Sequence, residues 1–470
     1  MNQREIAFLR APDPEAMLMA HLAPAAMDAQ AARGTPWRPG APLSLLLAGY
    51  CGAGNLGADM RTGEIVRQIR HLLGTERVRF RALNFGAVLP GDVLPGVDAV
   101  STDGYLPDVL AASVAASDAA IACEGSMFKS TFSDVLSATM AGALGLAARQ
   151  GKPSVAYGAE IGVMDTPLER FVAEHVAHSL VLTRNAPSQR RAQALGLRAF
   201  EAADTAWSFA ASPRDESAAL LRDAGWNGSQ PLLTVCPMNP FWWPVRPNPS
   251  LAAAGVCAEL RYGSVFYHAS SPEIDVKYRH YIKGLARAIE TLCRRMDALP
   301  LLIGMERVDW RACRDLSAQL CSQPLVLMSC EHPAACMVGI LRMSALLVSS
   351  RFHALVGAMP GQVPSIGIAM DERIRNLLDA PDQAGRVIPA DAPDLAERVV
   401  AAAVQLDPVA IARSSARTVA AEIRKMGEGG IRFCDEIARV LPNFSMRHRP
   451  RHWEAHLPPL PSPLLELMAA

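Results

Sequence analysis

The sequence lacks most of the signals that would declare a function at once. It has no charge excess, since 46 Lys plus Arg balance 46 Asp plus Glu. A dedicated nucleic-acid binder needs clustered cations to neutralise phosphates, so no nucleic-acid partner is expected. The ten cysteines, Cys51, Cys123, Cys236, Cys257 and Cys434 among them, form no CxxC pair and no Cys/His spacing that zinc prefers. They read as reduced, mostly buried thiols, and no metal site is expected. No run of eighteen apolar residues occurs, and charges interrupt each short apolar run of "MNQREIAFLRAPDPEAMLMAHLAP". A soluble, cytoplasmic protein is the simplest account. Peripheral association with the inner face of a membrane stays open, because it can rest on a surface patch.

What the chain does have is alternation. Residues 1–40 carry Pro, Ala and Gly stretches, "APDPEA" and "RGTPWRPGAP", and read as an N-terminal extension with a helix and a loose connection. From "LSLLLAGY" onward, β-like runs ("LSLLLAG", "RVRFRAL", "AAIACE", "SVAYGAE", "LVLTR") alternate with segments of helical period ("TGEIVRQIRHLLG", "SDVLSATMAGALGLAARQG", "SQRRAQALG"). Such alternation predicts a parallel sheet with helices on both faces. Charged and turn-forming residues gather at 211–230, after which the pattern restarts with "LLTVCP", "LPLLIGM", "QPLVLMS", "ALLVSS" and "VPSIGIA". The amphipathic "HYIKGLARAIETLCRRM" lies between the first two of these. The expected fold is α/β, with two Rossmann-like doubly wound lobes facing a cleft, residues 41–228 and 229–440. A Pro/His-rich tail, 441–470, is expected to pack on the surface or to be partly disordered.

Ligands of doubly wound sheets bind beyond the carboxyl ends of the strands, so the strand exits carry the candidate sites. The first exit, "AGYCGAGNLGADM", offers Gly52, Gly54, Asn55 and Asp59 for substrate contact, although its spacing is not the dinucleotide fingerprint. Its plainer reading is a turn that only packs the following helix. "AIACEGSMFKSTFSD" presents Glu124, Ser126 and Lys129, with Ser133 as a helix cap, and "LVLTRN" presents Arg184. In the second half, Trp242 and Trp243 suit either a sugar face or a lobe interface, and "LLIGMERVDW" delivers Glu306, Arg307 and Asp309. The strongest case is "VSSRFHALVGAM", where Ser350, Arg351 and His353 leave a strand and open a helix whose N-terminus attracts anions. Arginine holds a carboxylate or phosphate through two parallel hydrogen bonds, and histidine exchanges a proton near neutral pH. The next strand ends in Asp371 and Arg373, a second cation on the same edge.

"GYCGAGNLG", "YGAEIGVM", "VLTRNAPSQRRAQALG", "DTAWSF" and above all "SSRFHALVGAMPGQVPSIGIAMDERIRNLL" resemble, in order and spacing, the polysaccharide pyruvyl transferase family over about residues 44–380. The resemblance implies a GT-B-like architecture and transfer of a pyruvyl group from phosphoenolpyruvate, as co-substrate without any cofactor, onto a saccharide as a ketal in cell-surface polysaccharide synthesis. It implies a saccharide or lipid-linked saccharide acceptor as partner. Carried over residue by residue, it makes Arg351 and His353 catalytic and donor-binding, with the glycine loop at Gly52, Gly54, Asn55 and Gly57. Arg373 stands where the family has lysine, "EGS" replaces its "GGG" turn at residues 124–126, and Ala58 precedes the acid Asp59. On that reading Arg351, Arg373 and Ser350 anchor the donor, a charged His353 protonates its methylene carbon, and Glu124 or Asp309 serves as base. A nucleotide-sugar glycosyltransferase of GT-B type and a catalytically silent scaffold of the same fold stay open beside it.

Overall fold

The computed structural model describes residues 28, 37–84, 89–101, 107–263, 266–378 and 385–469. Apart from residues 28 and 37–40, the expected N-terminal extension lies outside the described residues. Seven strands come first: β1 Leu43–Cys51, β2 Val78–Asn84, β3 Val97–Ser101, β4 Ala119–Ala122, β5 Ser154–Ala159, β6 Leu180–Thr183 and β7 Ala199–Glu201. They form one sheet in the order β3-β2-β1-β4-β5-β6-β7, and each pairing is parallel. A strand covered on both faces reads as a continuous apolar run. In β1, Leu43, Leu45, Leu46 and Leu47 are all fully buried, with Leu45 opposite Phe80 on one side and Ala119 on the other.

The second half repeats the plan. Its strands are β8 Leu232–Cys236, β9 Arg246–Pro247, β10 Arg261–Gly263, β11 Phe266–Tyr267, β12 Leu299–Gly304, β13 Leu325–Met328, β14 Leu346–Ser349, β15 Ser365–Ala369 and β16 Val387–Pro389. Six make a parallel sheet, β13-β12-β8-β14-β15-β16, while β10-β11-β9 is a small antiparallel sheet inserted after β8. The fold is therefore the expected pair of doubly wound α/β lobes. The strands that the sequence pattern left unmarked, β3, β7, β9–β11 and β16, have two to five residues each, too few to show a period.

Helix starts follow local chemistry. Asn55 caps helix Leu56–Leu73 by accepting from the amide of Ala58 (3.1 Å), and Ser133 caps Asp134–Arg149 as expected. The long Pro272–Met296 helix starts at Ser271, which accepts from Ile274, and stops where Asp297 turns left-handed at φ 49°.

The final long helix, Pro408–Val440, belongs to both lobes. Its Phe433 lies against Tyr157 at the centre of the first lobe, ring centroids 5.7 Å apart, and Ile437 joins the same apolar cluster as Leu45 and Val155. Earlier in the helix Val419, Ile423 and Met426 pack with Leu301, Leu341 and Phe352 of the second lobe. The helix falls inside the expected second-lobe segment, yet its apolar stripe spans the junction. The tail beyond it is folded onto the chain: Leu457, Leu464 and Leu467 are buried, and Gln68 Nε2 donates to the carbonyls of Met426 (3.1 Å) and His456 (3.0 Å). Burying one such leucine contributes about 1.5–3 kcal/mol, which explains why a Pro/His-rich segment is held. None of the described helices is long and apolar enough to cross a membrane.

Tail docking depends on a close approach at Gly427, where a Cβ would stand 2.3 Å from the carbonyl oxygen of Trp453. Gly427→Ala is therefore expected to cost about 1–3 kcal/mol by overpacking. Limited proteolysis should then cut between the helix and Trp453 faster than in the parent, with a lower denaturation midpoint.

Candidate active site

In each sheet the strand order reverses beside its first strand, between β1 and β4 in one lobe and between β8 and β14 in the other. Crevices form at such reversals, outside the carboxyl ends. Here the two edges meet: the amide of Leu56 donates to the carbonyl of Met305 (2.9 Å), and Asn55 forms an antiparallel bridge with Glu306. The glycine loop after β1 thus touches the exit of β12. Gly52 and Gly54 are left-handed at φ 72° and 73°, which glycine adopts without the Cβ penalty. A Cβ on Gly57 would lie 2.1 Å from Nδ1 of His353, so glycine there gives the imidazole its place.

Arg351 and His353 stand at the junction, but their partners differ from the expectation. The Arg351 guanidinium pairs with Asp309, through both Nε (3.1 Å) and Nη2, and with Glu306 (2.9 Å). Burial alone would depress its pKa; Asp309 and Glu306 more than offset this and hold it charged. Asp309, wholly buried, is pushed up to about 6 by that burial despite Arg351. The arginine therefore enters any ligand contact with two carboxylates already on it. Helix Phe352–Ala358 has only seven residues, and Arg351 occupies its N-cap with no side-chain cap bond, so the expected anion field is slight.

His353 turns to the other lobe. Its Nε2 is 3.4 Å from Oδ2 of Asp204, which follows β7 and also receives Arg184 Nη1 (3.1 Å) and the Arg61 guanidinium (3.6 Å). Burial lowers the imidazole pKa below its ordinary value, with Asp204 only partly opposing. Burial thus makes His353 harder to protonate than a free imidazole, which works against the charged acid expected from the sequence. Burial pushes the Asp204 carboxyl up, but Arg61, His353 and Arg184 drive it well below the usual range. Arg184, expected at the substrate, is 5% exposed and bound to Glu160 as well as Asp204, with Phe352 of the second lobe against its guanidinium at 4.2 Å. It organises the junction from within.

A second group of charges closes the far side. Lys129, fully buried, reaches across to Asp371 (3.0 Å) and Glu372 (2.8 Å) of the second lobe. Arg373 also sits on Asp371 (2.8 Å), packs over Phe132 at 4.3 Å and approaches Ser126 Oγ at 3.4 Å. Burial would raise the Asp371 carboxyl; Arg373 and Lys129 hold it strongly depressed instead. Asn376 donates to Glu160 (2.9 Å), another link between lobes.

The other candidates divide. Glu124 is half-buried, its Oε1 3.3 Å from the amide of Ser126, and Arg307 is exposed in the turn after β12. Asp59, in the first turn of Leu56–Leu73, is 7% exposed and its carboxyl is raised to about 7 by burial. Ser350 leaves the set: it is buried and its hydroxyl bonds that of Tyr281 (2.7 Å). Trp243 takes the interface role, edge-on to Phe132 of the other lobe, while Trp242 is buried within its own lobe, stacked on His268 at 3.8 Å. Tyr50 stacks on Tyr262 at 5.5 Å across the same junction, and Tyr262 donates to Glu306. No cluster of three metal-ligating side chains occurs among the described residues. Asp204 and Arg61 carry no site role in the sequence reading. "DTAWSF" contains Asp204, but only the folded chain shows that His353 lies against it.

Two doubly wound lobes meeting carboxyl edge to carboxyl edge define an α/β protein whose ligands belong in the junction. The chain belongs to the polysaccharide pyruvyl transferase family, whose profile matches residues 96–372, more than half of its length. It is thereby a transferase of the polysaccharide-modifying kind. No curated protein matches it significantly. Among solved structures it is similar to UDP-GlcNAc 2-epimerase from Methanocaldococcus jannaschii (9% identity, 78% of this chain and 94% of that one, TM-score 0.49). It is also similar to UDP-GlcNAc 2-epimerase from Neisseria meningitidis bound to UDP-GlcNAc (10%, 82% and 94%, TM-score 0.46). A third similar structure is Anabaena HepE in complex with UDP-glucose (13%, 80% and 99%, TM-score 0.44).

The Lys129 bridge has a measurable weight. Removing one member of a buried ion pair leaves the other uncompensated and costs about 3–5 kcal/mol. Because Asp371 keeps Arg373 and Glu372 is a third exposed, Lys129→Ala is expected to lower unfolding free energy by less than that, about 1–3 kcal/mol, in denaturant titration. Arg398→Ala, whose partner Asp394 is half-exposed (50%), should change it little.

Proposed function

We propose that the protein transfers a pyruvyl group from phosphoenolpyruvate to two hydroxyls of a saccharide, forming a ketal and releasing phosphate. The observation that carries this reading is the position of Arg351 and His353, the family's Arg-x-His, at the reversal point of the second sheet and against the glycine loop of the first. Phosphoenolpyruvate brings a phosphate and a carboxylate on a three-carbon frame, so its site needs cations fixed in direction. Arg351 is fixed by Asp309 at Nε and Nη2 and by Glu306 at Nη1, so it offers a ligand only the remaining N–H of each terminal nitrogen, while Arg373 is fixed by Asp371 at Nε and keeps its terminal nitrogens for a ligand. Arg307, exposed at the same edge, adds a cation without a fixed partner geometry.

His353, whose protonated form burial disfavours, suits a base better than an acid. With Nε2–H donating to Asp204, Nδ1 carries the lone pair and can take the proton of an acceptor hydroxyl as its oxygen bonds to C2. A second hydroxyl then displaces phosphate from C2; the leaving group departs with the C–O electron pair towards the arginines and takes up the proton of that hydroxyl. The acceptor is a saccharide or lipid-linked saccharide, and no cofactor or metal takes part.

The test is phosphate release from phosphoenolpyruvate with a panel of saccharides, comparing the parent with Arg351→Ala and His353→Ala. Each variant should lose about 10²-fold or more. Undiminished release in both would remove this site, and stabilisation by UDP- or GDP-sugars without any by phosphoenolpyruvate would remove the donor. Gly57→Ala tests the placement of the imidazole: displacing His353 should lower turnover at least tenfold, as misplacing a catalytic group by an ångström can cost about 10²-fold. The acid limb of the pH–rate profile is expected below the ordinary imidazole pKa, since burial depresses His353, and should vanish in His353→Ala.

A further inference from the structure

The ketal reaction also needs an acid, because the methylene carbon of the donor becomes a methyl group, and burial disfavours the protonated form of His353 that would supply that proton. Most carboxylates at this edge cannot either. Glu160 and Asp204 are held by Arg184, Glu306 and Asp309 by Arg351, and Asp371 by Lys129 and Arg373. Asp59 differs. Its Oδ1 is buried with no hydrogen-bond partner, and no ion pair to Asp59 occurs among the described residues. It sits one turn beyond the Asn55–Glu306 bridge that joins the lobes, at the reversal point of the first sheet. The groups acting on it come from the elements around it: Asp92 after β2, Glu124 after β4 and Glu306 after β12 are all carboxylates. Against them stands only the backbone amide of Gly52, and the neighbouring Cys51 thiol feels both Asp59 and Glu124.

A buried carboxyl among three carboxylates keeps its proton, and a protonated carboxyl with a free oxygen is a donor waiting for an acceptor. Resting on the pyruvyl-transfer reading, we propose that Asp59 is the general acid of the reaction, delivering its proton to the methylene carbon of the enol-phosphate donor. The C2–C3 π pair takes that proton, C2 becomes oxocarbenium-like, and the first acceptor oxygen bonds to it while its own proton passes to His353. Asp59 is left as carboxylate and regains a proton from solvent before the next turnover. Half-buried Glu124, at the exit of β4, disfavours the ionised form.

Asp59→Asn keeps the shape and removes the proton. In the full-length protein it should bind phosphoenolpyruvate as the parent does by calorimetry, keep the parent's melting temperature at pH 6, and lose about 10²–10⁴-fold in kcat with little change in KM. The parent's rate should fall as pH rises through about 7, where Asp59 ionises, and the residual rate of Asp59→Asn should lack that limb. Should Asp59→Asn fail to fold, Asp59→Glu takes its place, with the alkaline limb displaced and turnover partly kept. A parent that binds and turns over phosphoenolpyruvate while Asp59→Asn retains its rate and alkaline limb overturns the acid assignment alone. A parent that neither binds phosphoenolpyruvate nor releases phosphate from it overturns both the assignment and the reading beneath it.

Discussion

The structure depends on charge neutralisation at a buried seam between two lobes. Asp204 is the point where it concentrates: a carboxylate 1% exposed, gathering Arg61 and Arg184 from its own lobe and His353 from the other. In a low-dielectric interior an unpaired charge costs several kcal/mol, so these groups are tolerable only together. Arg61 extends the constraint into the backbone by donating to the carbonyls of Cys123, Tyr157 and Gly158, which ties helix Leu56–Leu73 to the ends of β4 and β5. The seam thereby sets where the strand exits of the first sheet lie relative to those of the second.

That arrangement also divides labour among the ionisable groups. Cations at the junction come with carboxylates of their own lobe or the facing one, which directs guanidinium edges while leaving the edge without a strong net field. Because those carboxylates are already paired, Asp59 is left among acids, and burial disfavours the charged form of both Asp59 and His353.

Packing makes the seam durable. Helix Pro408–Val440 runs an apolar stripe over both lobes, and the tail closes on that helix through buried leucines where Gly427 allows the chains to touch. The aromatic contacts Tyr50–Tyr262 and Phe132–Trp243 bridge the opposite side. They explain why Trp243, which with Trp242 can look like a sugar platform in a sequence, serves here as interface.

Local pattern alone determined the lobes, the order of the main strands and the edge that carries Arg351 and His353, because burial on both faces writes continuous apolar runs and strand exits are local features. The short strands β3, β7 and β16 escaped it because three to five residues define no period. The partners of each charge were decided only by tertiary structure. Arg351 lies 42 residues from Asp309, His353 lies 149 from Asp204, and Lys129 lies 242 from Asp371. No spacing rule reaches that far, and the protonation of each group follows from those neighbours and from burial. The sequence by itself could place an arginine and a histidine at a strand exit; only the folded chain decided that burial disfavours the charged histidine, that the arginine is already paired, and that Asp59 has no ion pair among the described residues.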